Sequence, residues 1–355
     1  MHRTQLERSR LSRPYRQRLY SALRYFCTYL ASLDCILEVV CGTPAGAERH
    51  LTKFVQFCYD NGMNIWIPRH AILAVQHLWR GLKGSLKRAW DSIQSWQMTL
   101  SARNRIPFPL EVIDALFVWA ILAATDFPHF APLLYSFSVC LRLGFHGLLR
   151  PGELWRLTCG DIRLPWSGGH GAPLTGALRD TKNRRFLGRS QFFMISEAAL
   201  VRWMEWFMLG RSQLDLLWPY SARAFRDLLR LGLECLELGG VGYSPGSLRS
   251  GGTTHLFSLG LEIGRIKFLG RWLSERAVGS YVQECMARFV WASLEPEIVR
   301  SISTLNRAGE FILAGPPPLA WRAVCSQCKL ATSAPVGRRR ISTRRMLSDL
   351  RLALL

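Results

Sequence analysis

Lysine and acid are the scarce residues of this sequence. Only six lysines occur, Lys53, Lys83, Lys87, Lys182, Lys267 and Lys329, so nearly all of the positive charge is arginine. Asp and Glu number 25 against 46 Lys and Arg, which leaves a formal net charge of +21 over 355 residues. A basic excess of that size points to a polyanion as partner. Arginine is the better bidentate phosphate clamp, but a codon bias toward Arg explains most of these residues equally well, so the ratio alone decides nothing. A long apolar run is also missing. The stretch from Ala115 to Leu141 is broken by Asp126 and Pro128, and neither side reaches the ~18 uncharged residues that a membrane span needs. The basic segment from Met1 to Arg16 has no apolar core behind it, unlike a secretory signal. The ten cysteines are scattered, mostly inside apolar runs, as buried thiols are in a reducing compartment. The one close pair, Cys325 and Cys328, lacks the second pair of a zinc ribbon. These absences predict a soluble intracellular protein without a membrane partner or a metal, nuclear in a eukaryote and cytoplasmic otherwise.

Apolar residues make up 49% and charged ones 20%, which fits a globular chain and excludes disorder and collagen. The length allows two domains, each with its own core. Residues 1–13 read as a basic arm. Residues 14–98 read as a helical domain: Leu19, Leu23, Phe26 and Leu30 recur at three and four residues, and similar stripes follow at Leu51–Cys58 and Ile72–Leu82. The basic faces of these helices are either solvated surface or a track for phosphates; Lys83 and Lys87 are the candidate DNA contacts there. Residues 99–109 read as a linker, closed by Pro107 and Pro109, in which Arg103 and Arg105 are further candidate DNA contacts. Residues 110–306 form the second domain, helix-rich with an interlude of strand character, where Leu178–Ile195 is predicted to be a hairpin bearing Lys182. Residues 307–355 read as a flexible basic tail. The predicted class is therefore mainly α with a small β-hairpin or sheet (α+β).

Four fragments of the second domain carry chemistry. In His146-Gly-Leu-Leu-Arg150-Pro-Gly-Glu153, an apolar helix ends in a Gly/Pro turn that can project Arg150 into a cleft, with Glu153 supporting the turn. Such a pair alone is more often structural. Lys182 is the only lysine between Lys87 and Lys267; unlike Arg, Lys can donate a proton. In Ser244-Pro-Gly-Ser-Leu-Arg249-Ser-Gly-Gly, Ser244 is predicted to cap a helix whose first turns hold Arg249. Gly251 and Gly252 would permit either close helix packing or close approach of DNA. Last, Gly270-Arg-Trp272 precedes Tyr281 by nine residues from Trp272, and Tyr281 is the last tyrosine of the chain. A tyrosine oxygen is a poor nucleophile unless clustered cations stabilise its charge.

In this order the fragments resemble the tyrosine recombinases of the phage-integrase type, and the Gly-Arg-Trp form resembles recombinases of eukaryotic mobile elements. The resemblance covers about residues 110–290 by motif and 14–98 by position and helical pattern, where that family has its core-binding domain. It implies that Arg150 and Arg249 clamp the scissile phosphate and that Lys182 protonates the leaving 5′-oxygen. It implies further that Trp272 packs or hydrogen-bonds at the phosphate, and that Tyr281 attacks phosphorus to give a 3′-phosphotyrosyl link. It also implies double-stranded DNA as partner, a homo-tetramer at work, and no cofactor or metal. The segment Cys285–Leu305 would serve either to dock into a neighbouring copy or as an ordinary core helix. One position departs: three residues before Arg249 the family has His or Lys, and this chain has Gly246. That departure favours one alternative, a catalytically inactive DNA-binding relative; a topoisomerase of type IB, which uses the same chemistry, is the other.

Overall fold

Helical periodicity governs both compact units into which the chain divides, Met1–Arg103 and Asn104–Leu355. The computed structural model describes residues 11–100, 105–165, 172–179, 181, 184–188 and 190–315. In the first unit, α1 (Arg13–Ala31), α2 (Leu37–Val40), α3 (Pro44–Asp60), α4 (Trp66–Leu78) and α5 (Lys87–Thr99) enclose one core. The spacing of Leu19, Ala22, Phe26 and Leu30 puts all four on the buried face of α1. Phe26 meets Phe54 of α3, and Tyr29 lies against both Phe54 and Phe57. Thr43 caps α3 by accepting from the Gly46 amide, with Pro44 at the first helical position. Lys83 and Lys87 are exposed on this unit.

The second unit is built around α6 (Leu110–Asp126), a strongly apolar helix with most of its residues buried, from Val112 to Ala124, while Glu111, Leu122 and Asp126 reach solvent. It packs against α7 (Ala131–His146), α11 (Ala222–Cys235) and α16 (Pro296–Ala314). Between α7 and α11 come α8 (Pro151–Leu154), β1 (Ile162–Arg163), β2 (Leu174–Arg179), α9 (Arg184–Leu187), β3 (Ser190–Ile195) and α10 (Ala198–Met208). The strands form one antiparallel sheet in the order β1-β2-β3, with Leu174 opposite Ile195 and Arg179 opposite Ser190. After α11 follow α12 (Ser247–Ser258), α13 (Ile263–Gly270), α14 (Glu275–Gly279) and α15 (Glu284–Ala292). The fold is thus mainly α with one small antiparallel sheet. Among the described residues no helix is long and apolar enough to cross a membrane.

Several boundaries differ from the sequence reading. The hairpin begins at Leu174, not Leu178, because Leu174, Gly176 and Leu178 alternate onto the core side. Lys182 falls in its connection, outside the described residues. The final helix continues past residue 306 to Ala314, because Ile302, Gly309 and Leu313 keep one face on the core. The helix before it, α15, buries no residue, and Phe289 is 73% exposed. The remaining tail, with Cys325, Cys328 and the basic run 337–345, lies outside the described residues, as do the first ten residues of the arm and Arg103. Residues 105–109 are not a free linker: Phe108 is fully buried, its ring stacks on Tyr243 at 4.2 Å, and its amide donates to Ser247 O.

α12 begins at Ser247, not next to Ser244. The Ser247 amide donates to Ser244 O and closes a turn over Pro245 and Gly246, so Gly246 becomes the cap position. The paired glycines serve helix packing. A Cβ on Gly251 would stand 2.4 Å from Phe108 O, and one on Gly252 would stand 2.0 Å from Phe145 O. Both obstacles are backbone, so neither yields. Gly252→Ala is expected to lower stability by about 1–3 kcal/mol through overpacking. Gly264→Ala, in open space on α13, is expected to be neutral or to stabilise by up to about 1 kcal/mol. Denaturant unfolding of the two variants checks the contrast.

Candidate active site

The site starts from the turn after α7. Leu148 adopts a left-handed backbone conformation, φ 48°, and so does Arg271, φ 59°. Both are strained positions for residues with a side chain, and both serve one arrangement. The Leu148 turn aims its carbonyl inward, where it accepts from Arg249 Nη1 at 2.6 Å and Arg271 Nη2 at 3.1 Å. Arg271 ends α13 and turns the chain so that Trp272 folds back over Gly270. A Cβ at Gly270 would fall 1.4 Å from the indole, so the Gly270-Arg-Trp272 triplet is sterically linked: only glycine leaves room for the tryptophan.

Glu153 lies beneath the arginines. Arg150 caps α8 and Pro151 fills the first helical position. Three residues on, Glu153 reaches back: Oε2 accepts from the Arg150 amide at 3.0 Å and Oε1 from Arg150 Nη1 at 2.6 Å. Arg271 Nη2 donates to Oε2 at 3.3 Å, and Arg249 Nη1 stands 4.0 Å from the same oxygen. Three guanidinium groups therefore share one carboxylate, an excess of two positive charges. Arg249 is 1% exposed and Arg271 6%, whereas the Arg150 side chain is 21% exposed. Like charges held this close with little water require an anion.

The aromatic residues close over Arg249. Its guanidinium carbon lies 4.0 Å from the Trp272 ring centroid and 5.5 Å from that of Tyr281, and the two rings meet edge to face at 5.1 Å. Thr254 fixes the tyrosine segment by donating to Tyr281 O and accepting from the Gln283 amide. Arg249 also donates Nη2 to Gly270 O at 2.5 Å, but its Nε is buried without a hydrogen-bond partner among the described residues. The Trp272 Nε1 is a second such donor. Orphaned buried donors beside surplus positive charge match an acceptor-rich anion.

The electrostatics run the same way. Burial, and then the Arg150 and Arg271 charges, push Arg249 below the ordinary arginine range against the pull of Glu153 and Tyr281. Burial alone would raise the Glu153 carboxyl. The Arg271 charge and the Arg150 amide and guanidinium outweigh it and hold Glu153 below the usual carboxylate range.

The fold thus brings Arg150, Glu153, Arg249, Trp272 and Tyr281 together. Lys182 and Arg103 lie outside the described residues, and Lys83 and Lys87 belong to the other unit. β3 runs beside α13, and Phe193 of that strand packs on the Gly147 turn, so the sheet borders the site. Arg271 and Thr254 were missed by the sequence reading. The signal for Arg271 was a charged residue set between a glycine and a tryptophan at the end of an apolar helix. His255 sits 5.6 Å from the Phe145 ring.

Glu153→Gln is expected to cost about 3–5 kcal/mol, since it leaves buried charges unpaired. The depressed Glu153 acid contributes stability that is complete above its unfolded value and is lost as pH falls through the lower folded one. The acid limb of the pH–stability profile should therefore flatten in Glu153→Gln, as chemical denaturation across pH would read.

No known family's sequence profile matches the chain, and no curated protein matches it by sequence. Among solved structures it is similar to the crystal structure of XerA recombinase, at a TM-score of 0.36 and 14% identity over 85% of this chain and 94% of that one.

Proposed function

We propose that this protein is a DNA strand-cleaving and rejoining enzyme of the tyrosine-recombinase kind. One observation carries the reading: three arginines gather on a single carboxylate, and one of them, Arg249, lies against the rings of Trp272 and Tyr281. That arrangement supplies a place for a phosphodiester with a tyrosine beside it.

In the proposed reaction Arg150 and Arg249 neutralise the non-bridging oxygens of the scissile phosphate, and Arg271 holds Glu153 so that both clamps keep their aim. Preorganised donors of this kind are worth most where charge develops in the transition state. The Tyr281 oxygen attacks phosphorus as its proton leaves. The bond from phosphorus to the 5′-oxygen breaks, and the 5′-oxygen takes a proton, for which Lys182 is the donor implied by the resemblance. The products are a 3′-phosphotyrosyl link and a free 5′-hydroxyl. Reversal with the same or another 5′-hydroxyl rejoins the strand, and because the link retains the phosphoester energy, no nucleotide is consumed. Trp272 packs on Arg249 and offers its indole N–H to the phosphate. The basic helical unit, with Lys83 and Lys87, tracks the DNA backbone, and strand exchange engages four copies on two duplexes.

Gly246 favours a second reading, a DNA-binding relative without catalysis, because it carries no side chain to take the tyrosine proton. Denaturing electrophoresis separates the two. Wild-type protein incubated with nicked duplexes of randomised sequence is expected to yield a shifted covalent band that Tyr281→Phe does not form. Salt-sensitive DNA binding by both proteins with no band from either would establish the non-catalytic reading.

A further inference from the structure

Gly246 has no side chain, yet the space beside it is filled. A Cβ built there would stand 2.6 Å from Arg105 Nη1, 2.8 Å from its guanidinium carbon and 2.9 Å from its Cδ. The guanidinium of a residue more than a hundred positions earlier thus covers the α carbon at the first turn of α12. The placement follows from how residues 105–109 are fastened. The Phe108 ring stacks on Tyr243 and its amide donates to Ser247 O. Gly251, lacking a side chain, lets the Phe108 backbone lie directly on α12. The strap is anchored both before and after the Gly246 turn, and Arg105 at its start reaches across it.

Gly246 and Arg249 are three residues apart and so share a helix face. Arg105 therefore brings a fourth positive charge to the helix end that carries Arg249. It differs from the other three. Arg249 and Arg271 are buried and spend donors on backbone carbonyls, and Arg150 is bonded to Glu153. Arg105 is exposed, and no carboxylate pairs with it among the described residues.

We propose that Arg105 is a phosphate-contacting residue of the candidate site, occupying the side-chain space that Gly246 leaves open. Its ligand is a non-bridging oxygen of a DNA phosphodiester, and the inference rests on the phosphotyrosyl reading for that substrate. Glycine at 246 is then required: any larger side chain evicts the guanidinium.

The test is a double-mutant cycle on the full chain with two readouts. Arg105→Ala removes an exposed side chain. Gly246→Ala suits the local backbone, φ −71° and ψ −21°, and meets only the far end of a flexible arginine. Both variants should therefore fold, and unchanged thermal midpoints verify it; Arg105→Gln replaces Arg105→Ala if needed. The first readout is equilibrium binding of a labelled random-sequence duplex across salt concentrations, in a Tyr281→Phe background. Arg105→Ala should flatten the slope of log K against log salt by about one unit, one phosphate contact. The second is the rate of covalent adduct formation, which Arg105→Ala should slow on the order of a hundredfold. Gly246→Ala should reproduce both effects, and the double variant should be no worse than either single one. An unchanged salt slope in Arg105→Ala, or losses that simply add in the double variant, would overturn the proposal. If the wild type forms no adduct, the strand-cleavage reading fails by itself, and the salt slope still decides the role of Arg105.

Discussion

The Glu153 carboxylate is the point on which the second unit's chemistry depends. Three guanidinium groups within 4.0 Å of it would repel one another without it, and Arg249 and Arg271 have almost no water to screen them. Glu153 is itself fixed by its own chain, since its second oxygen accepts from the Arg150 amide three residues back. The cluster is therefore anchored locally and charged globally. Arg249 and Arg271, from distant parts of the sequence, join the local Arg150–Glu153 pair because α7, α12 and α13 converge on one turn.

Backbone geometry does the rest of the aiming. The left-handed Leu148 and Arg271 each cost conformational energy. In return the Leu148 carbonyl reaches two arginines, and the Arg271 turn swings Trp272 onto Arg249. The glycines play a matching part: Gly251 and Gly252 let α12 touch its neighbours backbone to backbone, and Gly270 makes room for the indole. Positive charge is held in excess, buried donors are left over, and an aromatic cover lies across them. Each of these features is costly to folding alone and reasonable where an anion is to be received.

The parts of this arrangement legible in the sequence were the local ones. Arg150 and Glu153 stand three apart around a Gly/Pro turn, so their pairing follows from spacing. Arg249, Trp272 and Tyr281 were marked by motif order, and the helices of both units by three-and-four periodicity. What was hidden depends on distant chain. Arg271 reads as an ordinary helix-end cation until the left-handed turn sends it to Glu153. Residues 105–109 read as a linker because their prolines and charges look like one, whereas the stacking of Phe108 on Tyr243 and its amide bond to Ser247 O fasten them. The cap of α12 is Gly246, not Ser244, because of a turn that a serine and a proline do not announce on their own. The final helix outran its expected end at residue 306 because its last turns stay on the core, where Gly309 lies close against Val118.

The most direct measurement is of the nucleophile itself. Trypsin cleavage after Arg276 and Arg288 releases residues 277–288, in which Tyr281 is the sole tyrosine. After incubation with DNA and exhaustive nuclease digestion, mass spectrometry of that peptide should find it carrying a 3′-linked phosphonucleotide on Tyr281. A wild-type protein that binds DNA while this peptide stays unmodified, or that carries the nucleotide on another residue, would contradict the account.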